Sequence, residues 1–140
     1  MKALNNIRAA LESRLIAAAG LPPIALPNIP YDPPSNTSFI KANFIPVLKR
    51  RAAIGPLPQQ RYDGLYSLLI CTPEKEGTGL AYDYAETIME LFEATTDISF
   101  ENPAANFTRV TIDYSEVGLS YSDPPFYCTP VTIGWYIYQK

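Results

Sequence analysis

Residues 61–92 read RYDGLYSLLICTPEKEGTGLAYDYAETIMELF, and the fold follows from this stretch. From 62 to 71 the chain is mostly apolar or aromatic, and Tyr66, Leu68 and Ile70 share one face at the two-residue period of a strand. Thr72-Pro73 ends the ladder, because proline has no N–H to donate. Residues 74–79 are polar and contain glycine, which predicts a loop, with Thr78 as helix N-cap. Leu80, Tyr84, Ile88, Leu91 and Phe92 then recur at helical spacing, with Ala81 and Ala85 beside them. A helix with such a stripe must bury it, and the preceding strand offers the nearest apolar face.

Working outward, residues 2–19 predict a first helix with a stripe of Leu4, Ile7, Leu11, Leu15 and Ala18, stopped at Gly20. Residues 22–34 carry six prolines, which predicts an extended connector. Residues 38–48 predict a strand with Ile40, Ala42, Phe44 and Leu48 on one face, and Pro46 places it at a sheet edge or a bulge. Residues 49–60 predict a long loop, basic at Lys49, Arg50 and Arg51 and apolar at Ile54 and Leu57. A short strand over 98–100, ended by Asn102-Pro103, precedes one over 107–114 with Val110, Ile112 and Tyr114 on one face; residues 116–121 continue it past a kink. Residues 126–138 form the last strand, with Val131, Ile133, Trp135 and Ile137 on one face and Tyr136 and Tyr138 on the other. The expected order is α-β-β-α-(β)-β-β: one α+β domain over residues 1–140, a mainly antiparallel or mixed sheet of four to five strands, and both helices on one face.

Composition narrows the function. The chain has 140 residues and is 47% apolar, as a globular domain is. No run approaches the roughly 20 apolar residues of a membrane span, and the charged first helix, with Arg8, Glu12 and Arg14, is not the pattern of a signal peptide. The formal charge of −3 argues against a general nucleic-acid binder. There is no histidine, so the commonest metal ligand and general base are missing. Cys71 and Cys128 fall inside predicted strands and read as buried thiols without an activating partner.

Other chemistry is sparse. Asp83, Glu86 and Glu90 lie along a helix as a solvated face, and Asp113 and Glu116 have no nucleophile beside them. Gly77-Thr78-Gly79 is a helix start, not a phosphate cradle. No catalytic, cofactor or metal residue is expected, and the chain reads as a non-enzyme. What the sequence does offer is aromatic surface: ten tyrosines, of which Tyr121, Tyr127, Tyr136 and Tyr138 fall where a helix-backed sheet turns outward.

With these elements in place, the chain resembles the phage tail-terminator family. The resemblance lies in the helix IRAALESRL, the link NIPYDPP, the strand opening SFIKANFIP, and RYDGLYSLLICTP followed by a Gly-Thr-Gly turn. It continues in the helix carrying Ala81, Ala85, Ile88, Leu91 and Phe92, and in an aromatic residue before PVTIGW. Where the family tends to have a tryptophan–aromatic pair, this chain has Phe126-Tyr127. The resemblance implies a virion protein, assembled in the host cytoplasm, that forms a homohexameric ring on the tail tube protein. It stops tube growth and offers a docking surface to the head–tail connector, while DNA passes the lumen without sequence-specific binding. The loops holding Lys49, Arg50, Arg51, Ile54 and Leu57, and Glu74, Lys75 and Glu76, with the four tyrosines, are then the expected contact residues. A neck or head–tail joining protein, or a host-interaction module carried by a prophage, would share the same small build.

Overall fold

In a computed structural model, residues 3–26, 29–32, 36–51, 60–74, 79–100 and 108–139 are described. The elements in chain order are α1 (Ala3–Ala17), β1 (Ile24–Ala25), β2 (Phe39–Arg51), β3 (Gln60–Pro73), α2 (Gly79–Leu91), β4 (Asp97–Phe100), β5 (Thr108–Val117), β6 (Tyr121–Asp123) and β7 (Phe126–Gln139). They build one sheet in the order β1-β2-β3-β7-β5-β4, with β6 also on β7. All pairings are antiparallel except β1 with β2.

The expected α+β class and mixed sheet are present, but the strand count and order need correction. Among the described residues the sheet has seven strands, not four to five. One extra strand lies in the proline-rich stretch. The Pro23 carbonyl accepts from the Ile40 N–H at 2.9 Å, which draws Ile24 and Ala25 alongside β2. The extension past 116 divides into the end of β5 and β6, because the chain kinks at 118–120 and resumes pairing with β7 at Tyr121. The basic run Lys49-Arg50-Arg51, expected in a loop, continues β2 and pairs with Tyr62, Arg61 and Gln60. The apolar second half of that loop, Ile54 and Leu57, lies outside the described residues, as do Lys75, Glu76, the Thr78 cap and the Asn102-Pro103 break.

Both helices lie on one face. Ile7, Ala10, Leu11 and Leu15 of α1 and Ala81, Ala85 and Ile88 of α2, with Phe92, share a core with Ile40, Leu68, Tyr66, Val131, Ile133, Trp135, Val110 and Ile112. Each large side chain so buried contributes about 1.5–3 kcal/mol. Leu4 is the exception to the expected stripe: it is exposed, and the helix covers the sheet from Ile7 onward. Gly20 ends α1 at φ +82°, a left-handed conformation that glycine adopts without steric penalty. Arg14 Nε donates to the Leu91 carbonyl at 2.8 Å, which caps α2 from α1 and fixes the helices against each other. After α2, Thr95 takes φ 70°; its N–H donates to Ile112 at 2.8 Å and Ile112 returns the bond to Thr96 at 2.9 Å, so the strained turn is pinned to β5.

Two glycines let aromatic rings lie flat across the sheet, one on each face. On the helix face a Cβ at Gly64 would meet Trp135 Cζ2 at 2.2 Å, so the bare backbone lets the indole cross β3. There it stacks on Phe44, with ring centroids 5.3 Å apart and planes 10° from parallel. On the opposite face a Cβ at Gly134 would meet Tyr114 Cε1 at 2.2 Å. Tyr114 was expected beside Val110 and Ile112, but a register shift between Ile112 and Tyr114 turns it to the outer face, over Gly134.

Gly64→Ala should therefore cost about 2–3 kcal/mol, by displacing the only tryptophan from its stack. Urea unfolding and the near-ultraviolet tryptophan signal measure this; a loss under about 0.5 kcal/mol contradicts the packing. A second expectation concerns alkaline pH. Burial is the largest cause raising the pKa of Tyr66, Cys71 and Cys128. The folded state thus holds these groups neutral while the unfolded chain ionises. Stability is fully present below the ordinary thiol value of 9.0 and falls as the pH rises through that value and then the ordinary phenol value of 10.0. The urea midpoint of the reduced protein should fall between about pH 8 and pH 11, and fall less in Tyr66→Phe; equal falls contradict the Tyr66 contribution.

Candidate assembly surface

Among the described residues no helix lies on the other sheet face, and register places its side chains in rows. Ile45, Leu65, Gly134 and Tyr114 stand opposite one another across β2, β3, β7 and β5. The next row is Leu48, Asp63, Tyr136 and Thr111, and the next is Arg50, Arg61 and Tyr138. Ile45, Leu48, Tyr114 and Tyr138 are exposed, and Val47, at the register shift between Pro46 and Leu48, is 62% exposed. The apolar row passes directly into a charged and aromatic one, the mixed character of a protein–protein contact.

The Arg61 guanidinium organises the charged end. It lies 4.3 Å from the Tyr136 ring centroid and 5.5 Å from that of Tyr138, and those two rings meet edge to face at 5.7 Å. Arg61 Nε donates to Asp63 Oδ1 at 2.7 Å and Nη1 to the Tyr138 hydroxyl at 2.9 Å. The Asp63 hydrogen bond is the largest cause raising the Arg61 pKa, so this group stays charged. Arg50 reaches the other Asp63 oxygen at 3.5 Å. On the helix face of the same strands, Lys49 sits 5.3 Å over the Tyr62 ring. These contacts hold long cationic side chains against rigid rings, so less side-chain entropy remains to be lost on binding.

Among the described residues, β2 is an edge strand beyond its short pairing with β1. The Ile40 N–H points outward to Pro23, and alternation gives Ala42, Phe44 and position 46 the same outward direction. Position 46 is proline, so the outward row lacks a donor there; the register shift and Lys49, Arg50 and Arg51 follow at once. Proline, a bulge and cations are the devices by which an edge resists pairing with another chain. This end of β2 therefore keeps its side chains exposed while its backbone edge is blunted.

The expected contact residues fall into separate groups. Lys49, Arg50, Arg51, Tyr136 and Tyr138 come together at one end of the sheet. Tyr121 is exposed at the opposite end, across from Cys128. Tyr127 is half-buried and has the opposite strand parity to Cys128, which places it on the helix face; its carbonyl accepts from the Thr72 hydroxyl at 3.2 Å. Glu74 is tied to its own chain: its carboxylate accepts from Ser122 Oγ at 2.7 Å and its N–H donates to Pro125 at 3.0 Å. Sequence reasoning missed Ile45, Val47, Leu48 and Tyr114. The run Ile45-Pro46-Val47-Leu48 carried the signal, since an apolar run around an edge proline cannot all face a core.

Among the described residues no group of three or more Cys, Asp or Glu is placed to hold a metal ion, and no helix is long and apolar enough to cross a membrane. Fold and surface together describe a helix-backed sheet whose other face mixes apolar, aromatic and charged side chains. A family model described as "Phage tail terminator protein" matches residues 6–135, and the chain belongs to that family. A solved structure that bears no descriptive name superposes with a TM-score of 0.72 at 23% identity, covering 100% of this chain and 98% of the other; it shares the fold. No curated protein matches the sequence. Family membership makes the chain a phage structural protein with a role in completing the tail.

Arg61→Ala should loosen Tyr136 and Tyr138 while costing about 1 kcal/mol or less of stability, because the cluster sits at the surface. Tyrosine fluorescence anisotropy and urea unfolding test both parts. A loss above about 2 kcal/mol contradicts a surface role and makes the cluster part of the core.

Proposed function

We propose that this chain caps the tail tube as a hexameric ring, stops tube growth and presents the opposite side of the ring to the head–tail connector. The observation that carries this reading is the uncovered sheet face, with Ile45, Leu48, Tyr114, Tyr136 and Tyr138 exposed or half-exposed beside a fixed Arg61, in a chain whose family match spans residues 6–135. A surface of this kind suits repeated contacts with copies of itself and with the tube protein. The reading assigns no catalytic step, cofactor or metal to the chain. Six copies at −3 each give −18 by multiplication, and a lumen of that sign repels phosphate, so DNA slides through without sequence-specific binding.

The test introduces charge at two exposed apolar positions of β2. Ile45→Glu with Leu48→Glu changes exposed side chains only, so the subunit should fold with a stability change within about 1 kcal/mol. Particles assembled with it should carry overlong tails that fail to join heads, as counted by electron microscopy. Deletion of residues 51–58 should act in the same direction. Normal-length tails joined to heads in both variants contradict the surface assignment. A label on the wild-type chain found away from the end of the tube, within the neck, instead makes it a head–tail joining protein.

A further inference from the structure

Cys71 and Cys128 stand directly opposite each other on the two central strands, β3 and β7. Both are buried, at 3% and 1% exposure, and their Sγ atoms are 3.2 Å apart. They lie on the outer sheet face in a small cluster of their own with Ala25, Phe39 and Phe126, away from the main core. Phe39 and Phe126 meet edge to face at 5.1 Å, and Tyr31 lies 5.5 Å from Phe39. This aromatic cover excludes bulky reagents from the thiols while leaving them in contact with each other.

We propose that Cys71 and Cys128 are a redox pair that closes, under hydrogen peroxide, into a cross-strand disulfide locking β3 to β7. One thiolate attacks a peroxide oxygen: an S–O bond forms, the O–O bond breaks and hydroxide leaves. The second sulfur, giving up its proton, attacks the resulting sulfenic acid: the S–S bond forms, the S–O bond breaks, and hydroxide takes the proton to leave as water. Two thiols and one peroxide become one disulfide and two waters, the sulfurs losing two electrons to the peroxide. A reducing compartment keeps the pair open, and an oxidising one lets it close.

The bond would join residues 57 apart in sequence and restrict the unfolded chain accordingly. It would form at the end of the β3–β7 ladder opposite the Arg61 cluster, so the lock does not intrude on the contact face. Burial raises both thiol pKa values, so the thiolate is scarce at neutral pH and closure is slow there.

The experiment uses the full chain, reduced and then freed of reductant, with dilute hydrogen peroxide as the probe. Expected are a mass loss of about 2 Da, loss of both titratable thiols in denaturant, and one peptide pair linking Cys71 to Cys128. The Tm should rise by about 10 °C and return on reduction. The closure rate should rise roughly tenfold per pH unit from about pH 7 to pH 9. Cys71→Ala should show neither the mass loss nor the Tm rise. Two thiols that still titrate after prolonged exposure, oxidation to sulfinic acids, a link between two chains, or a closed bond with unchanged Tm would each overturn the proposal. The peptide map of the wild-type chain decides the matter even if the variant fails to fold.

Discussion

The whole molecule hangs on the ladder between β3 and β7. It runs without a register shift from Gln60 opposite Gln139 to Pro73 opposite Phe126. An unbroken antiparallel ladder fixes which side of each strand faces the helices, because a slip of one residue would reverse every side chain. One parity sends Tyr66, Leu68, Ile70, Val131, Ile133 and Trp135 into the core under α1 and α2. The other sends Arg61, Asp63, Tyr136 and Tyr138 to the open face, and Cys71 and Cys128 to its far end. Core, open face and thiol pair are thus consequences of one register.

The neighbouring strands adjust to this ladder by local irregularity. β2 shifts register at Pro46 and Leu48, and β5 shifts between Ile112 and Tyr114. Each shift moves side chains across the sheet: the first puts Leu48 in line with Asp63, and the second puts Tyr114 over Gly134. The apolar row on the open face is therefore completed by the β5 bulge and Gly134, and the β2 bulge adds Leu48 to the row beside it, rather than simple alternation building both. β2 blunts its backbone edge with proline and cations while its side chains there remain exposed.

Much of the fold was legible because the central pieces obey simple periods. Residues 62–71 alternate, the helix after Gly79 repeats at 3.6, and both predicted helices were found on one face. The misses have physical causes. β1 is two residues long and is held by its parallel pairing with Ile40 and Lys41 of β2, a tertiary effect that no local pattern announces. Lys49, Arg50 and Arg51 read as loop because charge runs usually do; pairing with β3 overrode that preference. Tyr114 was placed on the wrong face because strict alternation was carried through a bulge. For the surface, Tyr136 and Tyr138 are readable from parity alone, whereas their fixing by Arg61 depends on β3 and β7 meeting in one register.

The central claim is that the helix-free face of the sheet is the one covered in the assembled tail. Hydroxyl-radical footprinting with mass spectrometry measures this on the free chain and on intact particles. Tyr114 and Tyr138 are exposed in the free subunit, as is Tyr82 on α2. The account predicts that Tyr114 and Tyr138 lose most of their labelling in the particle. Labelling of both residues at the level of the free chain, in particles that contain the protein, would contradict it.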